Sequence, residues 1–265
     1  MPTLCTENDR ARIYQYIAKE PEMNLFFYGD LENFGVQGGP IKVWAFPGAQ
    51  DWDCLLLQFY DSYIVYSPSK DYNAATVAEF LKGRTCDCIS GKLELVQKLT
   101  PFFPKLELQP TYMCRCNQLR DEATAPLPQD VQIRLLEEAD FPQLLELLSG
   151  IQEFEKSDLG PEKAMERQLE NYRHGSLTYG VYRGERLLAT AATTADNSQN
   201  AMVVSVATRP EERGHGYASA AVAALCQASF AKGRKFLCLF YDNPAAGRIY
   251  LRLGFEKIGQ YAMLH

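Results

Sequence analysis

Along the second half of the chain the apolar residues fall into two alternating rhythms. Phe141, Leu144, Leu145, Leu147 and Leu148 recur at helical steps, which predicts a helix over 139–148 with Asp140 as its cap. Short apolar runs predict strands at 131–136, 177–182, 187–194, 201–208, 236–240 and 257–263. Arg183-Gly184-Glu185-Arg186 reads as a hairpin turn between two of them. A more polar helix is predicted at 162–172, and an alanine-rich one at 216–232 that ends at Gly233, a usual C-terminal glycine. The last helix, 245–253, is closed by Gly254 in the same way.

The first half repeats the theme more loosely. Helices are predicted at 9–18, 74–82 and 92–99, with strands at 41–46, 54–59, 63–67 and 106–116. Between them, 118–130 is polar and proline-bearing without a sustained apolar period, which marks a linker between a domain at 1–117 and one at 131–265. The fold class expected is α/β with a mixed sheet in each half. The first domain is either a degenerate copy of the second or an unrelated α/β domain.

Composition narrows the function classes. The chain has 265 residues, 46% hydrophobic and 23% charged, a globular balance with room for two cores. A net charge of -6 argues against a nucleic-acid binder, which would draw affinity from surplus Lys and Arg. The first twenty residues lack the apolar core of a secretory signal, so a cytoplasmic location is expected. No run approaches the roughly 20 apolar residues needed to span a bilayer, so no membrane partner is expected. Eight cysteines then read as reduced thiols. Cys86 with Cys88 and Cys114 with Cys116 are Cys-x-Cys steps, tighter than the paired spacing of structural zinc sites, and no metal is expected.

The chemistry concentrates after residue 200. A strand pattern ending in Val206, Ala207 and Thr208 leads through Arg209-Pro210-Glu211-Glu212 into Arg213-Gly214-His215-Gly216-Tyr217-Ala218 and a helix. Free N–H groups in a first helical turn, together with the positive end of the helix dipole, suit a pyrophosphate. Glycine at 214 and 216 lets the backbone approach it. Gly214-His215-Gly216 also begins a dinucleotide-binding pattern, but Ser219 replaces its third glycine and only 47 residues follow Ala218, too few for the βα units of that fold. A P-loop lacks its Gly-Lys-Ser/Thr.

Arg213, Gly216 and Ala218 fit the Gln/Arg-x-x-Gly-x-Gly/Ala motif, and Asn243, Ala246, Tyr250, Gly254 and Phe255 fit an Asn-x-x-Ala-x-x-x-Tyr-x-x-x-Gly-Phe motif. In these residues and their order the chain resembles the GNAT superfamily of acyl-CoA-dependent N-acyltransferases, closely over 131–265 and loosely before it. The resemblance implies acetyl-CoA as co-substrate. The backbone amides of Arg213, Gly214, His215, Gly216, Tyr217 and Ala218 would then hold the pyrophosphate, and Val206, Ala207 and Thr208 the pantetheine arm and acyl carbonyl. Asn243 would cap its helix and touch pantetheine, with Ala246 beside it. Tyr250 would protonate the departing thiolate. A tyrosine among Ile249, Leu251, Leu253 and Phe255 could equally serve only to pack.

The implied reaction is direct attack by an amine, from a small molecule or a peptide, on the thioester carbonyl. Cys226 and Cys238 read as core thiols rather than nucleophiles. The strands at 187–195 and 201–208 carry no acid to deprotonate the amine. Asp196, Glu153, Glu155 and Asp158 are the candidates, with a water relay as the alternative. A second functional reading is a module that binds acyl-CoA and regulates a partner without turnover. Acceptor identity, acyl length and oligomeric state have no sequence signal.

Overall fold

The computed structural model describes residues 1–120, 124, 126–151 and 160–265. In chain order the elements are β1 (Thr3–Leu4), α1 (Arg10–Ile17), α2 (Leu25–Phe34), β2 (Ile41–Pro47), β3 (Trp52–Phe59), β4 (Ser62–Tyr66), α3 (Ala74–Leu81), β5 (Cys88–Lys92), α4 (Leu93–Val96) and β6 (Leu108–Cys116). There follow β7 (Val131–Leu135), α5 (Phe141–Ser149), α6 (Pro161–Arg173), β8 (Thr178–Arg183), β9 (Arg186–Thr194), β10 (Asn200–Thr208), α7 (Tyr217–Ala231), β11 (Phe236–Tyr241), α8 (Pro244–Leu253) and β12 (Glu256–Leu264). Every helix and strand predicted after residue 130 forms within a few residues of its expected place. None of the helices among the described residues is long and apolar enough to cross a membrane.

Two compact units divide the chain, but not by a single cut. The first comprises Met1–Met113, Phe240–Asp242 and Ile258–His265, and the second Cys114–Leu239 and Asn243–Lys257. In the first unit the strand order is β1-β2-β3-β4-β5-β12-β6. Strands β1 to β4 pair antiparallel in sequence, β4 and β5 are parallel, and β12 runs antiparallel to β5 with Tyr261 opposite Lys92. In the second unit the order is β11-β10-β9-β8-β7, parallel between β10 and β11 and antiparallel elsewhere.

Helix α2 is absent from the expected elements. Leu25, Phe26, Phe27, Tyr28, Leu31 and Phe34 leave it apolar nearly all round, so no polar stripe marks its period. Phe27 and Leu31, one turn apart, enter a core with Ile13, Ile17, Val43, Leu55, Leu57 and Leu264. The helix expected at 92–99 is instead the short α4 followed by a 3-10 turn, Gln97–Phe102, that holds Pro101. Before it lies β5, also unforeseen. Gly91 there has φ +154, and a Cβ at that position would stand 2.5 Å from the Val65 carbonyl oxygen of β4, so the strand pairs closely only with glycine.

The core of the second unit packs Leu136, Phe141, Leu144, Leu147 and Ile151 against Tyr182, Leu187 and Ala207. The first residues of the expected linker are held in place. The Arg120 N–H donates to the Leu253 carbonyl at 3.0 Å, and the Cys116 thiol to the Gln118 carbonyl at 3.2 Å.

Candidate functional site

Strand β10 is the scaffold of the site, and it is irregular where the sequence expects contacts. Its parallel pairing with β11 covers Asn200–Val203 opposite Phe236–Leu239. On the β9 side the register shifts between Val204 and Ala207, and Ser205 takes a φ of 52°, the signature of a bulge. Val206 and Thr208 are partly exposed while Ala207 is buried. The Thr208 hydroxyl oxygen is buried with no hydrogen-bond partner among the described residues.

From Thr208 the chain passes through a 3-10 turn, Pro210–Glu212, into the glycine turn. Gly214 and Gly216 have φ of +86° and +81°, and a Cβ built on either meets nothing within 4 Å. Protein crowding is therefore not what requires glycine. The left-handed backbone requires it, and it leaves open space above the amides. Gly216 is the N-cap of α7 and supplies no capping side chain, so the first-turn N–H groups of Tyr217, Ala218 and Ser219 are available to an anion. The corresponding junction in the first unit differs. Between β4 and α3 the chain reads Ser67-Pro68-Ser69-Lys70-Asp71-Tyr72-Asn73, without glycine, and the Asn73 side chain accepts from the Thr76 N–H at 3.1 Å. There the helix end is closed by its own cap.

Contacts that the sequence did not reveal brace the turn. Arg183, at the end of β8, donates to Glu212 and to the Tyr217 hydroxyl, both at 2.9 Å, and pairs with Asp130 at 3.1 Å. These partners lie far apart in the chain, so no local motif shows them. His215 stacks on Tyr217 with ring centroids 5.6 Å apart, and its Nδ1 lies 3.2 Å from the Glu212 carbonyl. Arg213 is exposed, with its Nε donating to the Thr208 carbonyl at 3.4 Å.

Helix α8 contributes the second motif. Asn243 accepts the Ala245 N–H at 2.8 Å as N-cap, and Pro244 occupies the first helical position. Asn243 is exposed and Ala246 partly so. Tyr250 is 7% exposed and packs edge-on against Phe255 at 6.0 Å. Burial, helped by the nearby Cys114 sulfur, pushes its phenol up to about 12, so it is a protonated donor at neutral pH. Arg252, two residues on, donates to the Ser219 hydroxyl at 3.1 Å and ties α8 to the first turn of α7. The structure thus collects all the predicted site residues, from Val206 to Ala218 and from Asn243 to Tyr250, in the second unit.

Asp196 is taken up elsewhere. It accepts from the Ser176 hydroxyl at 2.8 Å and the Thr193 hydroxyl at 2.9 Å, and it pairs with Arg234, with both side chains buried. Burial pushes its carboxyl up while Arg234 and the hydroxyls pull it back. A carboxylate occupied by three donors is a structural hub rather than a base. Glu153, Glu155 and Asp158 lie outside the described residues. Cys226 and Cys238 are buried, and the hydrogen bond with Cys116 together with burial pushes the Cys226 thiol well up, against a nucleophilic role. Among the described residues no group of three or more His, Cys, Asp and Glu could hold a metal ion.

The second unit is thus a mixed α/β fold with a bulged strand, an uncapped helix behind a left-handed glycine turn and a buried tyrosine on the next helix. Residues 141–255 match the family model described as the Acetyltransferase (GNAT) family, and this part of the chain is a domain of that family. No curated protein sequence matches the chain. Among solved structures, a Drosophila protein aligns with a TM-score of 0.72 at 13% identity, covering 99% of this chain and 97% of its own. A GCN5-related N-acetyltransferase from Sphaerobacter thermophilus aligns with a TM-score of 0.66 at 13% identity, covering 100% and 94%. A tandem GNAT protein from the clavulanic acid biosynthesis pathway aligns with a TM-score of 0.64 at 12% identity, covering 100% and 97%. At these identities the likeness is one of fold, and it extends over the first unit as well as the second.

Proposed function

We propose that the protein transfers an acetyl group from acetyl-CoA to an amine by direct attack on the thioester. The observation that carries this reading is the glycine turn: two left-handed glycines with open space above them, at a helix end that lacks a side-chain cap. The amides from Arg213 to Ala218 would take the pyrophosphate, and the β10 edge at Val206, Ala207 and Thr208 the pantetheine arm. Asn243, whose Oδ1 caps α8, would offer its amide nitrogen beside Ala246. Tyr250 would give its proton to the departing thiolate, which burial prepares it for by keeping the phenol protonated.

The same comparison of helix ends supports a division of labour between the halves. In the first unit β3, β4, α3 and β5 follow the order of β9, β10, α7 and β11 in the second: an antiparallel pair, a helix, then a parallel strand. With its helix end closed by Asn73 and no glycine in the junction, the first unit is a degenerate copy that does not bind the donor.

Incubation with acetyl-CoA and a panel of amines, amino acids and peptides, following free thiol, tests the reaction. Thiol release matched by acylated amine is expected. Tight binding without turnover would favour a regulatory module instead. If acetyl-CoA and longer thioesters leave the unfolding midpoint unchanged, the donor assignment fails, because ligand at 100 times its dissociation constant adds about 2.7 kcal/mol.

A further inference from the structure

The two ends of the glycine turn are held by one side chain from another strand. Arg183, at the end of β8, donates through Nη1 to the Glu212 carboxylate and through Nη2 to the Tyr217 hydroxyl, each at 2.9 Å. Glu212 immediately precedes Arg213 and Tyr217 immediately follows Gly216, so the guanidinium bridges Arg213-Gly214-His215-Gly216 from one flank to the other. Both anchors are buried, Glu212 at 9% exposure and Tyr217 at 1%. Backbone bonds fix them further: the Glu212 N–H donates to the Arg209 carbonyl at 2.9 Å, and the Gly216 carbonyl accepts the Ala220 N–H at 3.0 Å as α7 begins. All of these residues belong to the second unit.

A turn of this composition needs such a hold. Glycine loses more conformational freedom on ordering than any other residue, and two of the four bridged residues are glycines in the left-handed region. A capping side chain would order the helix start, as Asn73 does for α3. It would also occupy the first-turn N–H groups that the anion is proposed to use. Order must then come from outside the turn, and Arg183 supplies it through side chains, leaving those amides to the ligand. Its own charge is matched twice over, by the Glu212 carboxylate at Nη1 and by the Asp130 carboxylate 3.1 Å from Nε. A guanidinium flanked by two carboxylates is poorly suited to attract a pyrophosphate directly.

We infer that Arg183 is a positioning residue for the acyl donor: by clamping Glu212 and Tyr217 it holds the turn's backbone amides in the arrangement that receives the pyrophosphate. This rests on the proposed donor site. The ligand then meets a cradle that is already ordered and does not have to order the glycines as it binds. Lysine cannot take the place of arginine here, because an ammonium on a flexible stem has no planar fork to hold both anchors and Asp130 at once.

Hydrogen exchange and calorimetry on the full chain test this in Arg183→Lys, which keeps the positive charge and removes the fork. Without ligand, the hydrogen-bonded amides of Glu212 and Ala220, at either end of the turn, should exchange at least tenfold faster than in the wild type, with β9 and β10 unchanged. Acetyl-CoA should bind this variant at least tenfold more weakly. Tyr217→Phe keeps the ring and removes only the far anchor, and it carries the test should Arg183→Lys not fold. Ala220 should exchange faster in it, acetyl-CoA should bind several-fold more weakly, and Arg183→Lys should cost less affinity in that background than alone. Unchanged exchange at Glu212 and Ala220 would overturn the clamp, and weaker binding alongside it would mean that the guanidinium acts on the ligand directly. Exchange that quickens equally throughout the second unit would make Arg183 a residue of general stability only. Faster exchange confined to the turn, with wild-type affinity, would separate the clamp from donor binding. A wild type that does not bind acetyl-CoA would sink the donor site itself, and the positioning role with it, even where exchange shows the clamp intact.

Discussion

At residue scale the site depends on backbone shape at two glycines and on one phenol. Gly216→Ala puts a side chain at φ +81, which costs about 1–2 kcal/mol, and directs a methyl into the space proposed for the pyrophosphate. Acetyl-CoA affinity measured by calorimetry should fall tenfold or more. Gly175→Ala is the control: φ there is +87 with equally open space, so it should carry the same strain and leave affinity intact. If the two variants lose affinity alike, strain rather than ligand contact explains the glycine. Tyr250→Phe should lower kcat by a hundredfold or more and leave acetyl-CoA affinity unchanged. With its phenol held up to about 12, Tyr250 also predicts that wild-type kcat has no falling limb below about pH 11. A limb near pH 9 to 10 would assign the acid to another group.

At the scale of elements, the difference between α3 and α7 shows what separates a structural helix end from a binding one. Both follow a strand and precede a parallel neighbour, but Asn73 closes the first and Gly216 leaves the second open. The open end at Gly214 and Gly216 was legible in the residues, as was α8, whose Asn243-Pro244 start and Gly254 end are both marked; the Asn73 cap emerged only in the fold. The bulge at Ser205 was not legible, because nothing in Val203-Val204-Ser205-Val206 departs from a plain strand pattern. Nor was the Arg183 brace, since its partners are brought near only by the fold. Asp196 is the instructive error: a lone acid between two strands looks available, yet Arg234, Ser176 and Thr193 reach it from other elements. Asp196→Ala should therefore cost about 3–5 kcal/mol by leaving the Arg234 charge buried without its carboxylate. Urea unfolding measures this. A loss below 1 kcal/mol would mean that the pair is not a hub.

For the whole molecule, the interleaving of the chain matters more than its apparent linker. Residues 258–265 belong to the first unit, where Ala262 and Leu264 enter its core and the N–H groups of Glu107 and His265 each donate to the other's carbonyl. A fragment of residues 1–117 lacks that strand and should be unfolded by circular dichroism; a cooperative native-like transition would make the strand dispensable. Both units also bury tyrosines. Burial pushes the phenols of Tyr16, Tyr66, Tyr72 and Tyr261 above their usual range in the first unit, and those of Tyr182 and Tyr250 up to about 12 in the second. An unfolded phenol loses its proton near pH 10, so above that value the native state holds more protons than the unfolded one. Stability is then fully present below about pH 9 and falls as pH rises from 10 toward 12. Each buried phenol adds a slope of up to about 1.4 kcal/mol per pH unit in that window. The urea midpoint should accordingly be lower at pH 10.8 than at pH 8.5, and Tyr261→Phe should flatten the decline, because phenylalanine has no proton to hold. Equal midpoints at the two pH values would mean that the phenols ionise in the folded protein as readily as in the unfolded chain.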